Sequence, residues 1–202
     1  MKLIEKSILL GFILTLLISV TGFKAQCESI EKKVLRLHVI ANSDSQEDQD
    51  LKLKVRDRIL NYSESVFTDA SNKNEAEIII NRNLKEIEDI AQNEVYLNGY
   101  SYQVKVELSN THFNTRIYKD VTLPAGNYDA LKVIIGEGRG KNWWCVMFPP
   151  MCLPAAEEKE ELSEVLDDSE LEIVSDGTKY ELKFKVVEIF ENLKDIFESW
   201  GC

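Results

Sequence analysis

Thirteen nearly uninterrupted apolar residues, Ile8 to Val20, follow a start that carries Lys2 and Lys6, diluted by Glu5. Such a run partitions into a bilayer core while its basic end stays on the cytoplasmic side, so the rest of the chain is expected to be exported. A spanning helix needs about 20 residues, and widening the run to Ser7–Phe23 gives 17. Residues 1–25 therefore read first as a signal peptide, with Val20 and Gly22 at the −3 and −1 positions of a cleavage site. The second reading is an uncleaved anchor, which would keep the protein in contact with the membrane. Cys27 does not make a lipoprotein site, because Lys24, Ala25 and Gln26 lack the leucine and the small residue that should precede it.

Export changes how the four cysteines read, since a disulfide persists outside the cytoplasm. Cys145 and Cys152 bracket Pro149-Pro150, whose bend can return one sulfur to the other. A loop this short, closed without strain, stabilises by about 2–3 kcal/mol. Cys27 and Cys202 stand at opposite ends of the chain, and their state stays open.

The mature part alternates strand and helix signals. Val34 to Ala41 is apolar and β-branched and reads as a strand. Ser45 with Asp48 approximates a capping box for a helix to about Val66, whose buried face is Leu51, Val55, Ile59, Tyr62 and Val66. Lys52, Lys54, Arg56 and Arg58 fall on its other side. A second helix is expected from about Glu75 to Tyr96, then a turn at Asn98-Gly99. Tyr102 to Leu108 alternates as a half-buried strand, with a hairpin partner around Phe113 to Val121. Tyr128 to Gly136 and Asn142 to Phe148 read as two more strands, joined by a glycine-rich hairpin loop. Ala155 to Asp168 is a helix candidate in an acidic stretch, nine acidic residues between Glu157 and Glu172, read as a solvated helix or a mobile insert. Lys179 to Val187 alternates as a last strand, and Ile189 to Trp200 closes the chain as an amphipathic helix suited to packing, docking or membrane contact. The expected fold is α+β: a mostly antiparallel sheet with helices on one face, preceded by the signal peptide or anchor. Residues 34–153 form the core domain, and residues 154–202 pack on it.

Chemistry is sparse in this inventory. A net charge of −11 repels phosphate backbones and excludes nucleic acid as a partner. With two histidines, His38 and His112, and no Cys-x-x-Cys or His-x-x-x-His spacing, neither a metal nor any other cofactor is expected. Asp44, Asp48 and Asp50 lack EF-hand spacing and are better explained as helix-capping residues. Gly136, Gly138 and Gly140 are followed by Trp143 and Trp144 on a strand, which is not a phosphate loop. No serine sits in a nucleophile elbow, so no catalytic residue is assigned. Trp143 and Trp144 point to opposite faces of their strand, so one suits a core and the other a binding surface.

Two segments carry a family resemblance. Leu35 to Ser45 (LRLHVIANSDS), continuing through Gln49 to Lys52 and Val55 to Asp57, resembles the opening of the stage II sporulation protein R family. Leu123 to Gly136 (LPAGNYDALKVIIG) and Gly140 to Cys152 (GKNWWCVMFPPMC) are similar to its second motif, with Met151 where the family usually has leucine. The resemblance spans about residues 34–153 and weakens in the acidic stretch and the last helix. It implies a protein of spore-forming Firmicutes, made in the forespore and exported into the space between two membranes. There it would trigger a membrane-embedded aspartic protease, which trims the precursor of the mother-cell sporulation sigma factor E. Asn42, Ser43, Asp44, Arg56, Trp143 and Trp144 form the candidate protease-contact surface, since their identity exceeds what packing demands; the alternative is that they cap a helix and hold the fold. Two rivals use other chemistry: an exported thiol-dependent hydrolase built on Cys145 with His38 or His112, and a cell-wall-binding module using exposed tryptophan.

Overall fold

The computed structural model describes residues 2–67, 70–118, 121–149 and 158–200; side chains at 2, 3, 13, 16, 17, 158–161, 178 and 190–200 lie outside the description. The elements run α1 (Lys2–Lys33), β1 (Leu35–Ile40), α2 (Gln46–Val66), α3 (Lys73–Leu97), β2 (Val104–Phe113), β3 (Arg116–Tyr118), β4 (Val121–Leu123), β5 (Gly126–Ile135), β6 (Asn142–Phe148), α4 (Glu158–Val165), α5 (Asp168–Ser175) and α6 (Gly177–Trp200). They divide into two compact units, one of residues 32–111 and 127–165, the other of residues 1–31, 112–126 and 166–202.

The first of these units is built around β1. Its β-branched and leucine residues are buried along nearly the whole strand, as suits a strand flanked on both edges. The sheet order is β2-β5-β1-β6. β5 pairs with β1 in parallel, Leu37 opposite Leu131 and Val39 opposite Val133. β6 pairs with β1 antiparallel, Leu37 opposite Cys145 and Val39 opposite Trp143. The sheet is therefore mixed rather than mostly antiparallel. Neighbouring strands in the sequence do not simply form hairpins; β1, the most apolar strand, takes the interior place between β5 and β6.

α2 and α3 pack together and lie over β1. The cap of α2 is Ser45, and that of α3 is Asn72, each accepting from a backbone N–H three residues on. Lys73, at the start of α3, is buried and pairs with Glu77 at 3.1 Å and with Asp129 of β5. Asn110 of β2 donates to the same Asp129 at 3.0 Å, so three elements meet on one carboxylate. Arg36 of β1 is fully buried, with its guanidinium 4.9 Å from the Tyr128 ring centroid.

In the other unit, β3 and β4 form a separate two-stranded antiparallel sheet, Ile117 opposite Thr122. The expected hairpin partner at Phe113–Val121 is thus split: β2 continues to Phe113, and the residues beyond it pair elsewhere. The strand expected at Lys179–Val187 is instead the first half of α6. Its period-two alternation loses because Tyr180, Phe184 and Val187 also share a helix face, and that face has a partner. Phe23 of α1 stacks on Tyr180 at 5.6 Å and meets Phe184 edge-on at 5.4 Å. The acidic stretch is not all solvated: Asp167 and Glu170 form a complete capping box for α5, with Glu170 buried.

α1 is one unbroken helix through the residues around Val20–Ala25, and Phe23, Cys27 and Ile30 on it are core residues of this unit. Among the described residues no helix is long and apolar enough to cross a membrane.

Candidate functional site

The two motif segments meet where β5 must return to β6. Because β1 lies between those strands, residues 136–141 arch over its C-terminal end instead of closing a hairpin. The arch is latched by backbone bonds, Arg139 N–H to the Asn42 carbonyl at 3.2 Å and Gly140 N–H to the Ala41 carbonyl at 2.9 Å. Gly136 and Gly138 hold positive φ of 59° and 60°, a conformation other L-residues adopt at a cost. At Gly140 the constraint is space, since a Cβ would run into the Ser43 carbonyl.

Side chains complete the latch. Asn42 Oδ1 accepts from Glu137 N–H at 3.0 Å, and Asp44 Oδ1 accepts from Lys141 N–H at 2.6 Å. Ser45 Oγ accepts from Asp48 N–H at 3.2 Å, which is half of the expected capping box. The other half is replaced. The Asp48 carboxylate turns away from the cap and accepts from Asn42 Nδ2 at 2.8 Å and Ser43 Oγ at 2.6 Å. Burial pushes the Asp48 carboxyl up, but the bonds from Ser43, Asn42 and Tyr102 together hold it below the ordinary value.

Lys52, expected on the solvent side of α2, is buried; its ammonium donates to Gln49 Oε1 at 2.6 Å and to the Lys141 carbonyl at 3.0 Å. Burial lowers its pKa, as do Arg56 and Lys141, against the pull of Asp44.

One helical turn beyond Lys52, Arg56 places its guanidinium 4.2 Å from the centroid of the Trp143 ring, a cation–π contact. Asp57 holds the same guanidinium at 2.6 Å. Trp143 remains 37% exposed, the largest aromatic surface of β6 open to a partner. Trp144 points to the opposite face, half-buried and stacked on His38 at 3.6 Å and 18°. His38 in turn bonds Asn142 at 3.0 Å. Burial lowers the His38 pKa, helped by Lys132 and opposed by the Asn142 bond.

Asn42, Ser43 and Asp44 therefore shape the arch, the exposed Trp143 lies beside it against a half-buried Arg56, and Trp144 belongs to the sheet's other face. Sequence reasoning missed Asp48 as the hub and Lys52 as a buried cation. A signal was present: positions 48, 51, 52, 55 and 59 share one helix face.

Cys145 is buried opposite Leu37, whereas His38 is opposite Trp144. Alternation puts their side chains on opposite faces of the sheet, so this Cys–His pair is not assembled. Cys27 is a buried thiol on α1. Cys152 and Cys202 lie outside the described residues. Among the described residues no group of three or more His, Cys, Asp or Glu side chains is placed to hold a metal ion.

A family model described as stage II sporulation protein R matches residues 31–158. A protein named stage II sporulation protein R, from Bacillus subtilis (strain 168), is 33% identical over 187 residues, covering 81% of this chain and 83% of that protein. No solved structure matches the chain.

Proposed function

The chain belongs to the stage II sporulation protein R family, and from that premise we propose that it is an exported sporulation signal that activates a membrane-embedded aspartic protease and carries no catalytic chemistry of its own. The protease then trims the sigma factor E precursor. The observation that carries the reading is the Arg56–Trp143 pair, an exposed aromatic ring backed by a guanidinium at 4.2 Å. Tryptophan and arginine are the residues on which protein contacts concentrate their binding energy. The hydrogen-bonded arch beside the pair keeps the strand that carries Trp143 in register, so the platform is ordered before a partner arrives, which lowers the cost of association.

Export into the intermembrane space is part of the proposal, and so is a Cys145–Cys152 disulfide. Supporting the latter, Cys145 lies on a strand that runs directly into the short Pro-Pro segment before Cys152, a loop short enough to close.

The test is reconstitution in a non-sporulating host: this protein, its cognate membrane protease and the sigma factor precursor are co-expressed, and the shortened sigma factor is followed by blotting. Processing is expected with the full chain and lost on deletion of residues 2–20, a cut that spares the buried Phe23. Trp143→Ala is expected to reduce processing at least tenfold, on the scale of a hot-spot side chain worth about 1.4 kcal/mol or more. Processing that survives Trp143→Ala and Arg56→Glu together removes this pair from the contact. No processing with the full, folded and exported chain overturns the activator reading and favours wall binding through the exposed tryptophan.

A further inference from the structure

α6 is apolar on two sides, and only one of them is used inside its unit. At about 100° per residue, Tyr180, Phe184 and Val187 share one face, and Phe184 and Val187 are buried. Leu182, Val186 and Ile189 fall within about 60° of one another on the opposite face, and they are 79%, 38% and 59% exposed. Lys179, Lys183 and Lys185, all exposed, flank this stripe.

The neighbour of α6 says what covers it. Phe23 of α1 packs against Tyr180 and Phe184, just beyond the apolar run whose Ile4, Ile8, Leu9, Leu10, Phe12, Leu14 and Ile18 are exposed. At that level stand Tyr180, Lys24 and Lys183, the last with its ammonium 5.3 Å from the Phe23 ring and 5.5 Å from the Tyr180 ring. Tyrosine and lysine at the end of an apolar helix form the pattern of a membrane–water interface, where aromatic rings settle and long cationic side chains reach for headgroups. A bilayer that receives α1 therefore lies within a helix diameter of α6.

We propose that α6 lies on the surface of the bilayer that receives α1, with Leu182, Val186 and Ile189 among the acyl chains and its lysines at anionic headgroups. An exposed apolar stripe flanked by lysine is what an interfacial helix presents to lipid. The acidic residues of α6 do not face the same way: Glu181 and Glu188 fall about 100° or more around the helix from the middle of the stripe, while the lysines stand nearer to it.

The proposal rests on α1 entering a bilayer, and the experiment reports that separately. The full chain is reconstituted into vesicles of phosphatidylethanolamine and phosphatidylglycerol, and its flotation is measured. Single substitutions Leu182→Cys, Val186→Cys, Ile189→Cys and, as the polar control, Glu181→Cys carry a nitrobenzoxadiazole fluorophore; the parent chain gives the background of its own cysteines. The three stripe positions are expected to be quenched by lipid-borne nitroxide about twofold or more above Glu181→Cys and shielded from aqueous iodide. A chain that floats while its stripe is quenched by iodide overturns the proposal and leaves α1 insertion standing. Quenching by neither agent means that protein covers the stripe, and overturns it too. A chain that does not float overturns both.

Discussion

Asp48 shows how much one carboxylate decides. It receives Asn42 and Ser43 at once, and Asn42 in turn fixes the arch through Glu137. Its pKa in the folded chain lies below the ordinary 3.8, so folding favours the ionised form. That contribution is full above pH 3.8 and drains away as pH falls through the lowered value. Asp48→Asn is expected to cost about 1.5–3 kcal/mol at neutral pH, the range of hydrogen bonds to a charged group. The gap from the parent chain should narrow in urea titrations repeated near pH 3; a gap that stays constant would mean the charge is not what matters. Asn42, Ser43 and Asp44 were legible in the sequence as residues of unusual identity, read there as cap residues and candidate contacts rather than as parts of an arch. Asp48 was not, because a Ser-x-x-Asp spacing is satisfied equally by a cap and by this network, and only the position of the arch chooses between them.

At the scale of elements, α2, α3 and β6 were legible almost to their ends, since a sustained period and a capping residue specify them locally. α6 was not. Between Lys179 and Val187 the same residues satisfy periods of two and of 3.6, and the choice was made by Phe23, which offers a packing partner to a helix face and not to a strand. The two readings differ in which residues share a face. In a strand Leu182 and Phe184 would be equivalent; in α6 they are opposed. Phe184→Ala is expected to destabilise by about 3–5 kcal/mol, whereas Leu182→Ala should stay within about 0.5 kcal/mol, as for an exposed site. Equal losses in denaturant melts would restore the strand.

For the molecule as a whole, the sharpest division is between a thiol used for chemistry and one used for a staple. If the proposed Cys145–Cys152 disulfide forms, Cys145→Ser is expected to lower stability by about 2–3 kcal/mol and to leave sigma factor processing intact in the reconstituted host. Loss of processing in a variant that still folds would revive the thiol-dependent hydrolase. What the sequence determined by itself was whatever depends on neighbours in the chain: the apolar N-terminal run, α2 with its Ser45 cap, the period of α3, the strand composition of β1 and the family motifs. The tertiary structure decided what depends on residues distant in sequence. It placed β1 between β5 and β6, turned a presumed hairpin loop into an arch, buried Lys52 and Arg36, and drew Phe23, Cys27 and Ile30 of α1 into a core. Periodicity reports which face of an element is apolar; it carries no record of which other element will cover that face, and that pairing is settled only when the whole chain competes for the same buried surface.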